Sequence, residues 1–137
     1  MRVCIDTNVL VQLFGAARPL SPIADALQQG RLEFAVSNEI LLEYEEILTQ
    51  LSGQGRWQMA WRFLDGVSRL HSNVLYVEPH YRFGAITADP DDNKFVDCAI
   101  AVEADFILTS DRHFDVLNSS GYKPRPIDPQ EFIANHL

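Results

Sequence analysis

Four carboxylates stand at places in the chain where chemistry is expected. Asp6 closes the apolar run Val3-Cys4-Ile5, and Asp111 closes a second run, Phe106 to Ser110. Ligands of open α/β sheets bind at the carboxyl ends of the strands, so an acid directly after a buried strand lies where a site forms. Asp92 falls in the first turn of a helix pattern with its apolar stripe at Phe95, Val96, Ala99, Ile100 and Val102, and on the same face. Glu43 projects about 40° from Ile47, at the edge of the stripe of another helix.

Brought to one end of a sheet, these acids would oppose one another. Two unit charges 4 Å apart repel by about 4 kcal/mol at an effective dielectric of about 20. Only Lys94 and Arg112 lie beside them in sequence, too few to neutralise four. A divalent cation would. An all-oxygen donor set, without clustered His or Cys, suits Mg2+ or Mn2+ better than zinc. Such an ion polarises a phosphoryl oxygen and acidifies a bound water, so the natural reaction is hydrolysis of a phosphodiester.

Each acid also has a plainer reading. Asp6 could cap the following helix, Asp92 could only complement a helix dipole, Asp111 could start a turn, and Glu43 alone would be a solvated edge residue. Asp97 falls about 60° outside the stripe of its helix, as a flank residue or supporting partner. Asp89, Asp91 and Asp115 read as loop and turn acids, and Thr7, Asn8 and Thr109 as groups that orient carboxylates. His71, His80, His113 and His136 show no pairing at ligand spacing and are assigned nothing.

The elements that must position these residues alternate. Strands are expected at about 2–5, 32–36, 74–77, 105–109 and 124–127, the last at an edge because its prolines cannot donate to a ladder. Helices are expected from Val9 to Phe14, capped by Thr7 or Asn8, and at 22–29 behind a Ser21-Pro22 start with Gly30 as the stop. Others follow at 38–52, 56–70 and 92–103, with a turn or short helix at 113–117 and a last helix opened by Asp128-Pro129. The irregular stretch from Glu78 to Asp91 carries Pro79, Gly84 and Pro90 as breakers. The βα alternation implies an α/β fold, a three-layer α/β/α sandwich around a mostly parallel sheet of about five strands. One domain spanning 1–137 is expected, since 137 residues with 47% hydrophobic content suffice for one core.

Composition narrows the setting. Cys4 and Cys98 read as small buried hydrophobes and so point to a reducing compartment, and Trp57, Trp61 and Phe63 more readily as core aromatics than as a partner surface. No signal peptide or membrane span is expected, which points to the cytoplasm and to no membrane partner. A net charge of −8 argues against a broad basic face for nucleic acid. It leaves room for an enzyme whose cations neutralise both its own acids and a substrate phosphate.

With these residues in view, the chain resembles the PIN domain. The likeness rests on Asp6-Thr7-Asn8-Val9-Leu10, on Glu43 in Leu42-Glu43-Tyr44, on Asp92 in Asp91-Asp92-Asn93-Lys94-Phe95, and on Thr109-Ser110-Asp111. It extends to Pro126 through Phe132, and the nearest branch is similar to toxin components of bacterial toxin–antitoxin systems, related to VapC toxins. The resemblance implies a Mg2+- or Mn2+-dependent ribonuclease, often dimeric, inhibited by an antitoxin protein. It implies that Asp6, Glu43, Asp92 and Asp111 are catalytic and hold the metal, with Asp97 as a further candidate ligand. Asp92 is preferred to its neighbour Asp91 because its helix face matches. The rival reading is a PIN-like module that binds RNA or protein without cutting. A phospho-acceptor receiver domain is disfavoured, because Val77 is followed by Glu78-Pro79 rather than by an acceptor Asp.

Overall fold

The computed structural model describes residues 1–137. Five parallel strands, β1 (Arg2–Ile5), β2 (Glu33–Val36), β3 (Val74–Tyr76), β4 (Phe106–Leu108) and β5 (Arg125–Ile127), lie in the order β3-β2-β1-β4-β5. Six helices connect and follow them: α1 (Thr7–Leu13), α2 (Ser21–Gln28), α3 (Asn38–Ser52), α4 (Gln54–His71), α5 (Asn93–Ala101) and α6 (Pro129–His136). Crossovers between parallel strands are right-handed, so α1 to α4, on connections running toward β3, cover one face. The connections running back toward β5, with α5, cover the other, which gives the three layers.

β1 is the central strand, and its Val3, Cys4 and Ile5 are wholly buried. From β1 the chain first builds outward through β2 to β3, then returns to lay β4 on the other side. The strand order therefore reverses between β1 and β4, and their carboxyl ends open a crevice there. Ile5 is in register with Leu108, and the Asp6 amide donates to the Leu108 carbonyl at 3.0 Å. The residues directly after the two strands are thereby side by side. β5 lies at the edge, where Pro126 pairs with Ile107 in register and its missing amide faces no further strand.

Several local expectations shift. α1 is capped by Asp6, whose carboxylate accepts from the Thr7 amide, rather than by Thr7 or Asn8. Ser21 makes no capping bond and already lies within α2. The expected helix 92–103 is a 3-10 turn at Pro90–Asp92 followed by α5, which stops at Ala101 because Glu103 takes a left-handed conformation (φ 52°). The turn expected at 113–117 is a longer 3-10 segment, Arg112–Ser119. Cys4 and Cys98 are free and fully buried, and their mutual contact together with burial pushes the Cys4 thiol well above its usual range. Trp61 does not join the core: it is 39% exposed and lines an open groove of about 510 Å³ with Leu41, Leu42 and Trp57. No helix is long and apolar enough to cross a membrane.

Candidate active site

At the crevice, buried hydroxyls fix the carboxylates. Asp6 is 6% exposed; one oxygen accepts from the Thr7 amide at 2.8 Å, and the other from the Thr109 hydroxyl at 2.8 Å. Thr109, first after β4, also accepts from the Asp111 amide at 3.0 Å. One threonine thus ties together the acids of both strand ends. Asp111 in turn caps the 3-10 segment, accepting from the His113 amide at 2.9 Å.

Glu43 reaches the same place from α3. One of its oxygens accepts from the Thr7 hydroxyl, and the other pairs with Lys94 Nζ at 2.7 Å. The register of α3 is set one residue on, where the buried Tyr44 hydroxyl donates to the Ile5 carbonyl at the end of β1. Lys94 also binds Asp91 at 2.9 Å. Burial works against the lysine charge, but the hydrogen bonds to Glu43 and Asp91 outweigh it and hold its pKa above the ordinary value.

The adjacent acids Asp91 and Asp92 are sorted by the 3-10 turn. Asp91 points outward, its side chain 74% exposed, and Lys94 holds its pKa low. Asp92 points inward at 15%, and its Oδ2 is buried with no hydrogen-bond partner. Burial foremost, then the charges of Asp89, Asp6 and Asp111, push its pKa from 3.8 to about 7. Asp6 is likewise raised by burial, with the Thr109 and Thr7 bonds opposing and the charges of Asp111 and Glu43 adding. Asp92 thus feels the charges of Asp6 and Asp111, and Asp6 those of Asp111 and Glu43.

Asp97 stands apart. It is 8% exposed, deeper than its expected flank position, and accepts from the Phe83 amide at 3.1 Å. Its pKa is raised by burial against the Phe83 bond and the Arg82 charge, with Glu39 adding. Its recorded partners belong to the segment after β3 and to α3, not to the other acids.

Two residues passed over in the sequence join the centre. Asp89, Asp92 and His113 each offer a ligand atom, and these atoms all lie within 4.8 Å of one another. His113 Nδ1 lies 3.4 Å from Asp111 Oδ1 and 3.9 Å from Asp92 Oδ2. The one available signal was the i, i+2 step from Asp111 to His113 in a short turn. Asn8 is exposed and supplies no hydrogen bond to the acids.

A cation fits this arrangement by its chemistry. A buried carboxylate oxygen with no donor is costly unless a positive partner reaches it, and here three further acids add to that cost rather than relieve it. The donors are carboxylates with one imidazole, a set that suits Mg2+ and Mn2+, the imidazole alone leaning toward softer ions.

A family model described as PIN domain matches residues 2–113. Among solved structures, one chain of VapBC2 from Rickettsia felis, bound to a DNA fragment from its promoter, superposes with a TM-score of 0.60 at 15% identity. It covers 93% of this chain and 100% of that one. A domain of a functionally unknown protein from Methanocaldococcus jannaschii superposes with a TM-score of 0.57 at 18% identity, covering 93% and 91%. No curated protein matches in sequence. With the family model spanning most of the length, the chain belongs to the PIN domain family.

Proposed function

We propose that the chain is a metal-dependent endoribonuclease that hydrolyses RNA phosphodiester bonds, and that it is the toxin of a toxin–antitoxin pair. The observation that carries the nuclease reading is the orphaned Asp92 oxygen, buried among Asp6, Asp89 and Asp111. The toxin reading, with a cognate antitoxin protein as partner and the cytoplasm as its place, draws on the sequence resemblance. The likeness in fold to a chain of a VapBC assembly supports it.

Asp6, Asp92 and Asp111 would hold Mg2+ or Mn2+. When bound, the ion supplies charge to a phosphoryl oxygen and lowers the pKa of a water. Thr109 and the Thr7 amide keep Asp6 turned into the crevice, so its charge is in place before substrate arrives. Glu43, clamped by Lys94 and the Thr7 hydroxyl, has lone pairs left to orient the attacking water. In the metal-free chain Asp92 gains and loses its proton near neutral pH, and a bound cation would hold it ionised. Asp97 acts on the site by anchoring the segment beside it.

Cleavage of a mixed RNA pool, with and without Mn2+ or Mg2+, tests the proposal. Metal-dependent cutting that Asp6→Asn abolishes while the circular dichroism stays native supports it. Cutting retained by Asp6→Asn would remove Asp6 from the mechanism.

A further inference from the structure

Beside the acidic centre, the segment after β3 carries aromatic rings that the core does not use. Tyr81 and Phe83 meet at a tilt of 38° with 5.4 Å between ring centroids, and Phe83 meets Tyr122 edge-on at 5.2 Å. Val77, Ala85 and Ile86 of the same segment pack on the core, but Tyr81, Phe83 and Tyr122 do not. They lean on one another instead, with Tyr81 72% and Tyr122 42% exposed. Large aromatic surface left in water without a core contact calls for a partner.

The segment is irregular, yet it is tied to α5 at two points. Asn93 both accepts from the Ile86 amide and donates to the Ile86 carbonyl, each at 2.9 Å, and Asp97 accepts from the Phe83 amide. Tyr81 and Arg82 line a small cavity together with Lys94, whose Nζ pairs with Glu43 at 2.7 Å, so the ridge adjoins the acids on the Glu43 side. Between the two rings of the segment lies Arg82, exposed and with no carboxylate within 4 Å, Asp97 being the acid its charge reaches. In a chain with 11 basic and 19 acidic residues, an exposed arginine without a close ion pair, set beside the Lys94–Glu43 pair, is a specific feature.

We propose that Tyr81, Phe83 and Tyr122 form a stacking subsite for the unpaired bases of a single-stranded RNA, with Arg82 on its backbone. The inference rests on the nuclease reading for the identity of the strand. Rings present their faces to bases that a duplex keeps stacked on one another, and each such contact tolerates any sequence. Arg82 supplies the charge complement that the acidic centre lacks until a cation is bound.

Binding of a short fluorescent single-stranded RNA to the Asp6→Asn chain, measured by anisotropy, tests the subsite. Tyr81→Ala and Tyr122→Ala are expected to weaken binding about tenfold each, as loss of one stacked base does. Tyr81→Phe keeps the parental Kd, Tyr81→Leu is as weak as Ala, and an oligonucleotide with abasic positions no longer distinguishes the variants. An unchanged Kd in both alanine variants overturns the subsite, as does a parent that binds no oligonucleotide. Full rescue by Leu overturns it too, and marks the ridge as an apolar surface for a protein. In the Asp6 chain, Tyr81→Ala raises KM more than it lowers kcat. Cutting with unchanged KM in that variant overturns the subsite and leaves the nuclease standing. Ring-dependent binding by a chain that never cuts does the reverse.

Discussion

Asp92 combines a buried oxygen, no hydrogen-bond donor and three neighbouring negative charges. Its folded pKa of about 7 lies above the unfolded 3.8, so the fold binds its proton more tightly than the unfolded chain does. The associated stability is present below about pH 4 and is lost as pH rises through 7; Asp6 and Asp97, also raised, act in the same direction. Without added metal, urea melts should show the chain less stable at pH 8 than at pH 5, by about 1–2 kcal/mol after solvent screening. A flat or opposite profile would place the charges further apart. Thr109 is the hinge of the hydroxyl network, and Thr109→Val removes both the donor to Asp6 and the acceptor for the Asp111 amide. The variant should bind Mn2+ about 10–100-fold more weakly, the range for loss of an orienting partner, and lose about 1–3 kcal/mol of stability. The four acids were legible because two end apolar strands and two ride apolar helix faces. His113 and Asp89 were not, because a short 3-10 turn leaves no periodic signature and His113 lies 21 positions beyond Asp92.

At the scale of elements, β1 and α5 position the centre. Sequence patterning marked β1 as a buried strand because its run is apolar without alternation, and placed β5 at the edge because of its prolines. It set the end of α5 late, since nothing marks Glu103 as left-handed: glycine is the usual residue at such a helix end, and none stands at this one. It also assigned Trp61 to the core, because periodicity reports which residues share a face and not what that face meets. Asn93 is the clearest test of how α5 governs its surroundings. Asn93→Ala removes both bonds to Ile86, so amide exchange at 83–88 should quicken while β1 and β4 keep their protection. Global stability should fall by about 1–2 kcal/mol. Unchanged exchange at 83–88 would mean that the segment is held by its own packing.

For the whole molecule, the reversal of strand order between β1 and β4 explains why acids distant in sequence meet at one place. A fold carrying −8 and a crevice of like charges is stabilised by whatever cation it selects, because binding to the folded chain alone shifts the unfolding equilibrium. At a hundredfold excess over Kd, Mn2+ should add about 2.7 kcal/mol to the unfolding free energy, read as a raised midpoint that a chelator reverses. The claim beneath all of this is that Asp92 belongs to a cation site shared with Asp6 and Asp111. Calorimetric titration of Mn2+ at pH 8 into the parent chain and Asp92→Asn addresses it most directly. The account predicts saturable binding to the parent and at least tenfold weaker binding to a variant that remains folded. Equal binding by the two would contradict it.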